Sequence, residues 1–203
     1  LPMTWPLSYN DVPSKNDFPN PDEISDDELM NSLKGFTELR TKGSRKNFDI
    51  TTYNDGIYVG YRYYTTKNIP VSFPFGYGMS YTSFEFGKPN VEKDGNGNIK
   101  VSVNVRNNGK MAGKEVVQVY VSAPGKDMDK PARELKGFAK TKRLAAGESE
   151  TVTINIPFES LASFNDQSSC WQVESGVYKV MVAKNAADLK PLTTTVYEEG
   201  KIT

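Results

Sequence analysis

Histidine is absent from the 203 residues, and cysteine occurs once, at Cys170. The first absence removes Ser-His-Asp and Cys-His triads, histidine-ligated metals and imidazole general bases in one step. The second excludes an intrachain disulfide and argues against a cysteine-based metal site. A lone thiol reads as a small buried hydrophobe before it reads as a nucleophile. An excess of either charge is missing too. Lys+Arg and Asp+Glu each number 25, so no basic field marks a nucleic-acid partner. No apolar run approaches the length of a membrane span, and no signal-peptide pattern opens the chain. There is no Asn-x-Ser/Thr sequon, which neither requires nor excludes export. The opening LPMTWP starts in mid-pattern and without an initiator Met, so the expectation is a mature or excised piece of something longer.

What is present divides near residue 80. Residues 1–80 are rich in proline and aromatics and carry one helix signal. Ser25-Asp26-Asp27-Glu28 has the spacing of a capping box, and Leu29, Met30 and Leu33 supply an apolar stripe up to Gly35. A short helix over about 26–34 is predicted, followed by a polar, basic surface excursion over 36–50. Tyrosines then crowd residues 53–64, and Phe73, Phe75, Tyr77, Tyr81, Phe84 and Phe86 crowd FPFGYGMSYTSFEF at 73–86. The first half of that stretch reads as a hinge packed against a neighbouring domain. The second half, Ser80 to Phe86, reads as a first strand with Phe84 and Phe86 on one face and Tyr81 and Glu85 on the other.

Residues 81–203 alternate with period 2, the mark of half-buried strands. Ile99, Val101, Val103 and Val105 share one face, as do Val152, Ile154 and Ile156. Val116 to Val121 is the most apolar run, and 133–144 reads as a strand broken at Gly137. Trp171 and Val173 are expected to share a face, while Val177, Lys179, Met181 and Ala183 oppose Tyr178, Val180 and Val182. TTTVYEE reads as a terminal strand or a tail. Asp-Gly, Asn-Gly and Ala-Gly turns separate these runs. About seven short strands predict an antiparallel β-sandwich, of the fibronectin-III rather than the disulfide-bearing immunoglobulin kind.

Candidate chemistry is sparse. Glycoside hydrolysis needs two carboxylates flanking a sugar, yet no acid here has a context that marks it as buried or poised. Asp22-Glu23 and Asp26-Asp27-Glu28 read as a solvated helix start, and Glu198-Glu199 as part of a tail. FGYGMS has no following Lys-Ser/Thr and is no phosphate loop. Asp127, Asp129 and Lys130 form a mixed-charge loop with too few oxygens for calcium. Trp5, Tyr53, Tyr58, Tyr61, Tyr63, Tyr64 and Tyr77 could stack on sugar rings, but interface packing is the simpler use of such a segment.

Five segments in order carry a resemblance. LPMTWPLSYNDVP, DGIYVGYRYY and NIPVSFPFGYGMSYTSFEF resemble the C-terminal region of glycoside hydrolase family 3 enzymes, the β-glucosidase and β-xylosidase group. VNVRNNGKMAGKEVVQVYVSAP and the later run ELKGFAKTKRLAAGESETVTINI to WQVESGVYKVMVA resemble that family's fibronectin type III-like domain. The resemblance implies a parent with a barrel, an α/β sandwich and this β-sandwich. Residues 1–80 would then hold the end of the α/β sandwich and an aromatic linker, and 81–203 the fibronectin type III-like domain. In the family the nucleophilic aspartate and the acid/base residue precede LPxTWP. No catalytic, cofactor-binding or metal-ligating residue is therefore assigned in this chain. Asp55 stands where the family commonly has Glu, which retains the charge. The implied partners are the upstream catalytic domains and an oligosaccharide substrate, in the periplasm or outside the cell. An exposed linker would favour self-association of the piece alone. The alternative is a stand-alone carbohydrate-binding or adhesive β-sandwich, using Trp5 or Tyr77.

Overall fold

The computed structural model describes residues 1–17, 53–188 and 191–202. The helix expected over 26–34 and the excursion over 36–50 lie outside the described residues.

The expected antiparallel β-sandwich is present. One sheet is built on β5 (Ile99–Asn107), which pairs β8 (Ser149–Ile156) along one side. Its other side takes β3 (Phe84–Phe86) and then β4 (Asn90–Lys93). The facing sheet has the order β12 (Leu192–Glu198), β11 (Gly176–Ala183), β6 (Val116–Ser122) and β7 (Glu134–Lys140). A small third sheet joins β9 (Ser163–Asn165), β10 (Cys170–Val173) and β13 (Lys201–Ile202). Ahead of the sandwich, β1 (Trp5–Pro6) and β2 (Val71–Phe73) form a two-stranded ribbon, and α1 (Tyr61–Thr66) is one short helix.

The core follows the period-2 pattern. Ile99, Val101, Val103 and Val105 of β5 and Val152, Ile154 and Ile156 of β8 meet Val117, Val119, Val121, Tyr178, Val180 and Val182 of the facing sheet. Each such side chain, fully buried, contributes about 1.5–3 kcal/mol. The break at Gly137 is a bulge: Val119 pairs Gly137 and Tyr120 pairs Leu135, leaving Lys136 as the extra residue. A Cβ at residue 137 would sit 2.5 Å from Ile154 Cγ2, so glycine also lets the two sheets close. In the β4–β5 turn, Asp94 accepts from the Asn96 and Asn98 amides at 2.9 Å each. The Asn98 side chain and these amides hold the Asp94 carboxyl below the usual carboxylate range.

Three expectations need correction. The first strand covers only Phe84–Phe86, and Tyr81 is 98% exposed before it. Before it the Thr82 amide donates to Ser80 Oγ at 3.3 Å and not to a ladder carbonyl, while the Thr82 hydroxyl donates to Asn107 Oδ1 at 2.6 Å. Of the two readings of TTTVYEE the strand holds, and Glu198, expected in a tail, is its innermost residue, 1% exposed. Trp171 and Val173 have the parity expected of one face, but Val173 is buried and Trp171 is 54% exposed. They lie on the small third sheet, whose outer part no other layer covers among the described residues.

Candidate functional site

The outer face of the β12–β11–β6–β7 sheet carries Tyr120, Met181, Ala183 and the following Ala186, all buried. What covers them is the segment before the sandwich. Gly60, at φ +58, starts α1 and so aims Tyr61 at the sheet. Tyr61 stacks on Phe75 at 5.2 Å between ring centroids and meets Tyr120 edge-on at 5.7 Å. Polar contacts tie the same surfaces. The Leu135 amide donates to the Tyr61 hydroxyl at 2.8 Å, the Ala132 amide to Thr66 Oγ1 at 2.8 Å, and the Ala186 amide to the Phe75 carbonyl at 2.9 Å. Arg62 pairs Glu134 at 3.1 Å. The Tyr58 hydroxyl donates to Asp129 at 2.6 Å, and that bond raises its pKa.

Gly76 (φ +83) lies against the side-chain amide of Gln118, leaving no room for a Cβ. Gln118 is buried because its own groups are satisfied: Nε2 donates to the Lys184 carbonyl at 2.9 Å, and Oε1 accepts from the Tyr120 hydroxyl. Burial pushes the Tyr120 phenol up. The linker is therefore fixed to the sandwich by packing, backbone bonds and one excluded side chain.

At the edge of this seam lies a cavity of about 400 Å³, between Tyr64, Ile69 and Val71 on one side and Arg133 and Ala186 on the other. Arg133 donates from one terminal nitrogen to the Ala186 and Asp188 carbonyls at 3.1 and 3.2 Å. Its buried Nε has no hydrogen-bond partner, and neither has the buried Asp55 Oδ1.

The aromatic candidates separate cleanly. Tyr64 is buried and Tyr61 is closed into the seam, so neither offers a sugar-stacking face. Tyr63 packs edge-on against Tyr64 at 5.3 Å, and Tyr77 tilts against Phe73 at 5.2 Å. Trp5 and Tyr53 are 53% and 70% exposed. Trp5 lies opposite Phe73 on the ribbon, itself 43% exposed, with Leu7 and Met3 open beside it.

The acids correct the sequence reading at two places. Glu174 and Glu198 are both buried, at 2% and 1% exposure. Glu174 accepts from the Lys126 and Met128 amides at 2.9 Å each, and so shapes the loop that contains Asp127, Asp129 and Lys130. Burial lowers the Lys130 pKa. Glu198 pairs Lys93 at 2.7 Å, joining the edge strands of the two sheets. Both acids flank Tyr178, whose hydroxyl donates to the Glu174 carbonyl at 2.9 Å. These are structural roles: one braces a loop and the other clamps sheet edges. A signal for Glu198 existed, since it keeps the inward parity of Leu192, Thr194 and Val196. Glu174 stands in a turn, where parity carries no information. Cys170 is half-buried, with Ser168 Oγ at 3.0 Å from its sulfur. Among the described residues no cluster of three acids or cysteines could hold a metal ion.

Two antiparallel sheets face to face, in this order and with this pairing, define a fibronectin type III-like domain, here with an aromatic arm docked on its outer face. The family model for the fibronectin type III-like domain matches residues 115–186. Over 144 residues the chain is 44% identical to thermostable β-glucosidase B of Acetivibrio thermocellus, covering 70% of this chain and 19% of that protein. It is 36% identical over 203 residues to an exo-α-(1→6)-L-arabinopyranosidase of Bifidobacterium breve, covering 99% and 23%. The solved β-glucosidase 3B of Thermotoga neapolitana, in complex with α-D-glucose, superposes with a TM-score of 0.81 at 40% identity, covering 100% of this chain and 25% of that one. The chain corresponds to the C-terminal region of glycoside hydrolase family 3 proteins, fibronectin type III-like domain included. It spans about a fifth to a quarter of the length of the relatives it matches.

Proposed function

We propose that this region braces the catalytic domains of a family 3 β-glycosidase, a β-glucosidase that removes terminal β-linked sugars from oligosaccharides. The observation that carries the brace is the ribbon. Trp5 and Phe73, opposite each other on the two-stranded ribbon, are 53% and 43% exposed, and Leu7 just beyond it is 61% exposed. An exposed apolar face of this kind marks an interaction site. The names of the relatives support the glycosidase reading, and their different sugars fit a region that does not choose the substrate.

In this reading, the nucleophile and the acid/base residue belong to the upstream domains. The buried Glu174 holds a loop and the buried Glu198 pairs Lys93 through one oxygen. The test is hydrolysis of an aryl β-glucoside: a longer protein with its upstream domains is expected to turn it over, and the 203-residue chain is not. Turnover by the purified chain overturns the reading, and so does an inactive longer protein. The proposed location is the periplasm or the exterior, where such oligosaccharides are met. Fractionation of the source cells tests it, and activity confined to the cytoplasm overturns it.

A further inference from the structure

The third sheet and the 3₁₀ turn Phe158–Leu161 line a second cavity of about 310 Å³. Its walls are Phe158, Ala162, Val173 and one side of Trp171, and its polar groups are Glu159 and Lys201. None of these six residues takes part in docking the arm. We infer that this cavity and the Trp171 ring form a carbohydrate subsite for a β-linked gluco-oligosaccharide. The choice of β-glucan rests on the glycosidase reading above.

The site is built rather than incidental. Trp171 on β10 is paired in register with Phe164 on β9, and their rings meet edge-to-face at 5.6 Å and 70°. That contact fixes the indole before any ligand arrives, and an aromatic ring held this way loses little conformational entropy on binding. Trp171 remains 54% exposed and Phe164 48%. Phe158 is seated on Gly97 (φ +85), where an added Cβ would come 2.8 Å from the ring. Lys201 on β13 pairs with Val173 on β10, so the ammonium-bearing and apolar walls belong to one sheet.

The chemistry of the lining selects the occupant. A pyranose has an apolar face of axial C–H groups and a rim of equatorial hydroxyls. Trp171 matches the face, the Glu159 carboxylate can accept from hydroxyls, and the Lys201 ammonium can donate to them. Such a mostly apolar concavity with a few convergent polar groups suits a small ligand, and its volume lies at the low end of the usual ~300–1,000 Å³. One carboxylate and one ammonium give no net field for a polyanion. The edges β9 and β13 have three and two residues, too short to recruit an extended peptide by strand addition.

The 203-residue chain is titrated with cellotetraose, laminaritetraose and, as the α-linked control, maltotetraose, by calorimetry and by tryptophan fluorescence. Its two tryptophans are Trp5 and Trp171. Saturable binding of either β-linked sugar is expected, weakened at least tenfold in Trp171→Ala, weakened severalfold in Glu159→Gln, and unchanged in Trp5→Ala. Trp171 is on the surface, and thermal denaturation of each variant confirms that it folds. No binding of either β-glucan, binding of maltotetraose alone, or loss in Trp5→Ala in place of Trp171→Ala overturns the subsite. The two proposals fail separately: an active longer protein with a chain that binds no glucan removes only this one. An inactive longer protein with a chain that binds through Trp171 removes only the glycosidase reading.

Discussion

Phe75 stacks on Tyr61 with ring centroids 5.2 Å apart and planes 30° from parallel. They are fourteen positions apart in the chain, and both press on the outer face of the sandwich. This pair makes the aromatic arm part of the folded unit, because Tyr61 also accepts from the Leu135 amide and Phe75 from Ala186.

Loosening that contact should free the arm and leave the sandwich folded. Phe75→Ala removes a half-buried ring and is expected to cost about 2 kcal/mol. Gly76→Ala meets both a left-handed backbone (φ +83) and the Gln118 amide, and is expected to cost about 1–3 kcal/mol. Limited proteolysis is the sharper readout: cleavage within 53–80 should accelerate while the core strands stay protected. Equal exposure of arm and sandwich in either variant would show that the two do not dock as described.

Asn107 is the polar hub of the sandwich end. Its Nδ2 donates to the Met111 and Leu144 carbonyls at 2.8 and 3.0 Å, and its Oδ1 accepts from Thr82 Oγ1 and the Gly109 amide at 2.6 and 3.0 Å. The residue is wholly buried. Asn107→Ala leaves four groups without their partner, three of them backbone, and should destabilise by about 2–4 kcal/mol in urea denaturation. Asn107→Asp should do no better, because a carboxylate cannot donate to the two carbonyls.

Much of this architecture was legible because β5 and β8 alternate strictly, Ile99 to Val105 and Val152 to Ile156 each facing one core. The Gly137 break was legible as well, since glycine inside a strand marks a bulge or a close approach. The docking seam was not. Met181 and Ala183 give β11 a second apolar face, and no local pattern says that Tyr61 and Phe75, more than a hundred residues away, are its cover. Glu198 was hidden by its residue type: an acid suggests surface, although strand parity points it inward to Lys93. The Trp171 cavity escaped for the converse reason. Parity with the buried Val173 suggested core, but Trp171 is 54% exposed on the small third sheet.

Tyr178 gives the fold a dependence on alkaline pH. Burial, with the Glu174 and Glu198 carboxylates nearby, pushes its phenol up to about 12, against about 10 in an unfolded chain. The folded state binds that proton more tightly. The contribution to stability is therefore complete below pH ~10 and is lost as pH rises toward ~12. Near neutrality, Tyr178→Phe loses the bond to the Glu174 carbonyl and should be less stable by about 1 kcal/mol. Between pH 9 and 11.5 that gap of about 1 kcal/mol should shrink and close as the phenol ionises in the unfolded chain first, read from urea midpoints in parallel. A constant gap would mean that the phenol titrates alike in both states.

The ribbon that carries Trp5 and Phe73 should decide how the isolated chain behaves in solution. The two residues face each other across β1 and β2, with Leu7, Met3 and Leu1 open nearby. In the absence of upstream domains, that surface has a ready partner in a second copy, which buries the same apolar side chains twice. Sedimentation velocity is expected to show concentration-dependent association of the 203-residue chain. The double variant Trp5→Ser, Phe73→Ser should shift it to monomer. Neither side chain is in the core, so the sandwich should keep its unfolding midpoint to within about 0.5 kcal/mol. The same variant in the longer protein should act in the opposite direction, lowering thermal stability, because the proposed brace covers the face there. A variant that leaves association unchanged would place the sticky surface elsewhere. One that leaves the longer protein's stability unchanged would show that the upstream domains do not rest on this ribbon.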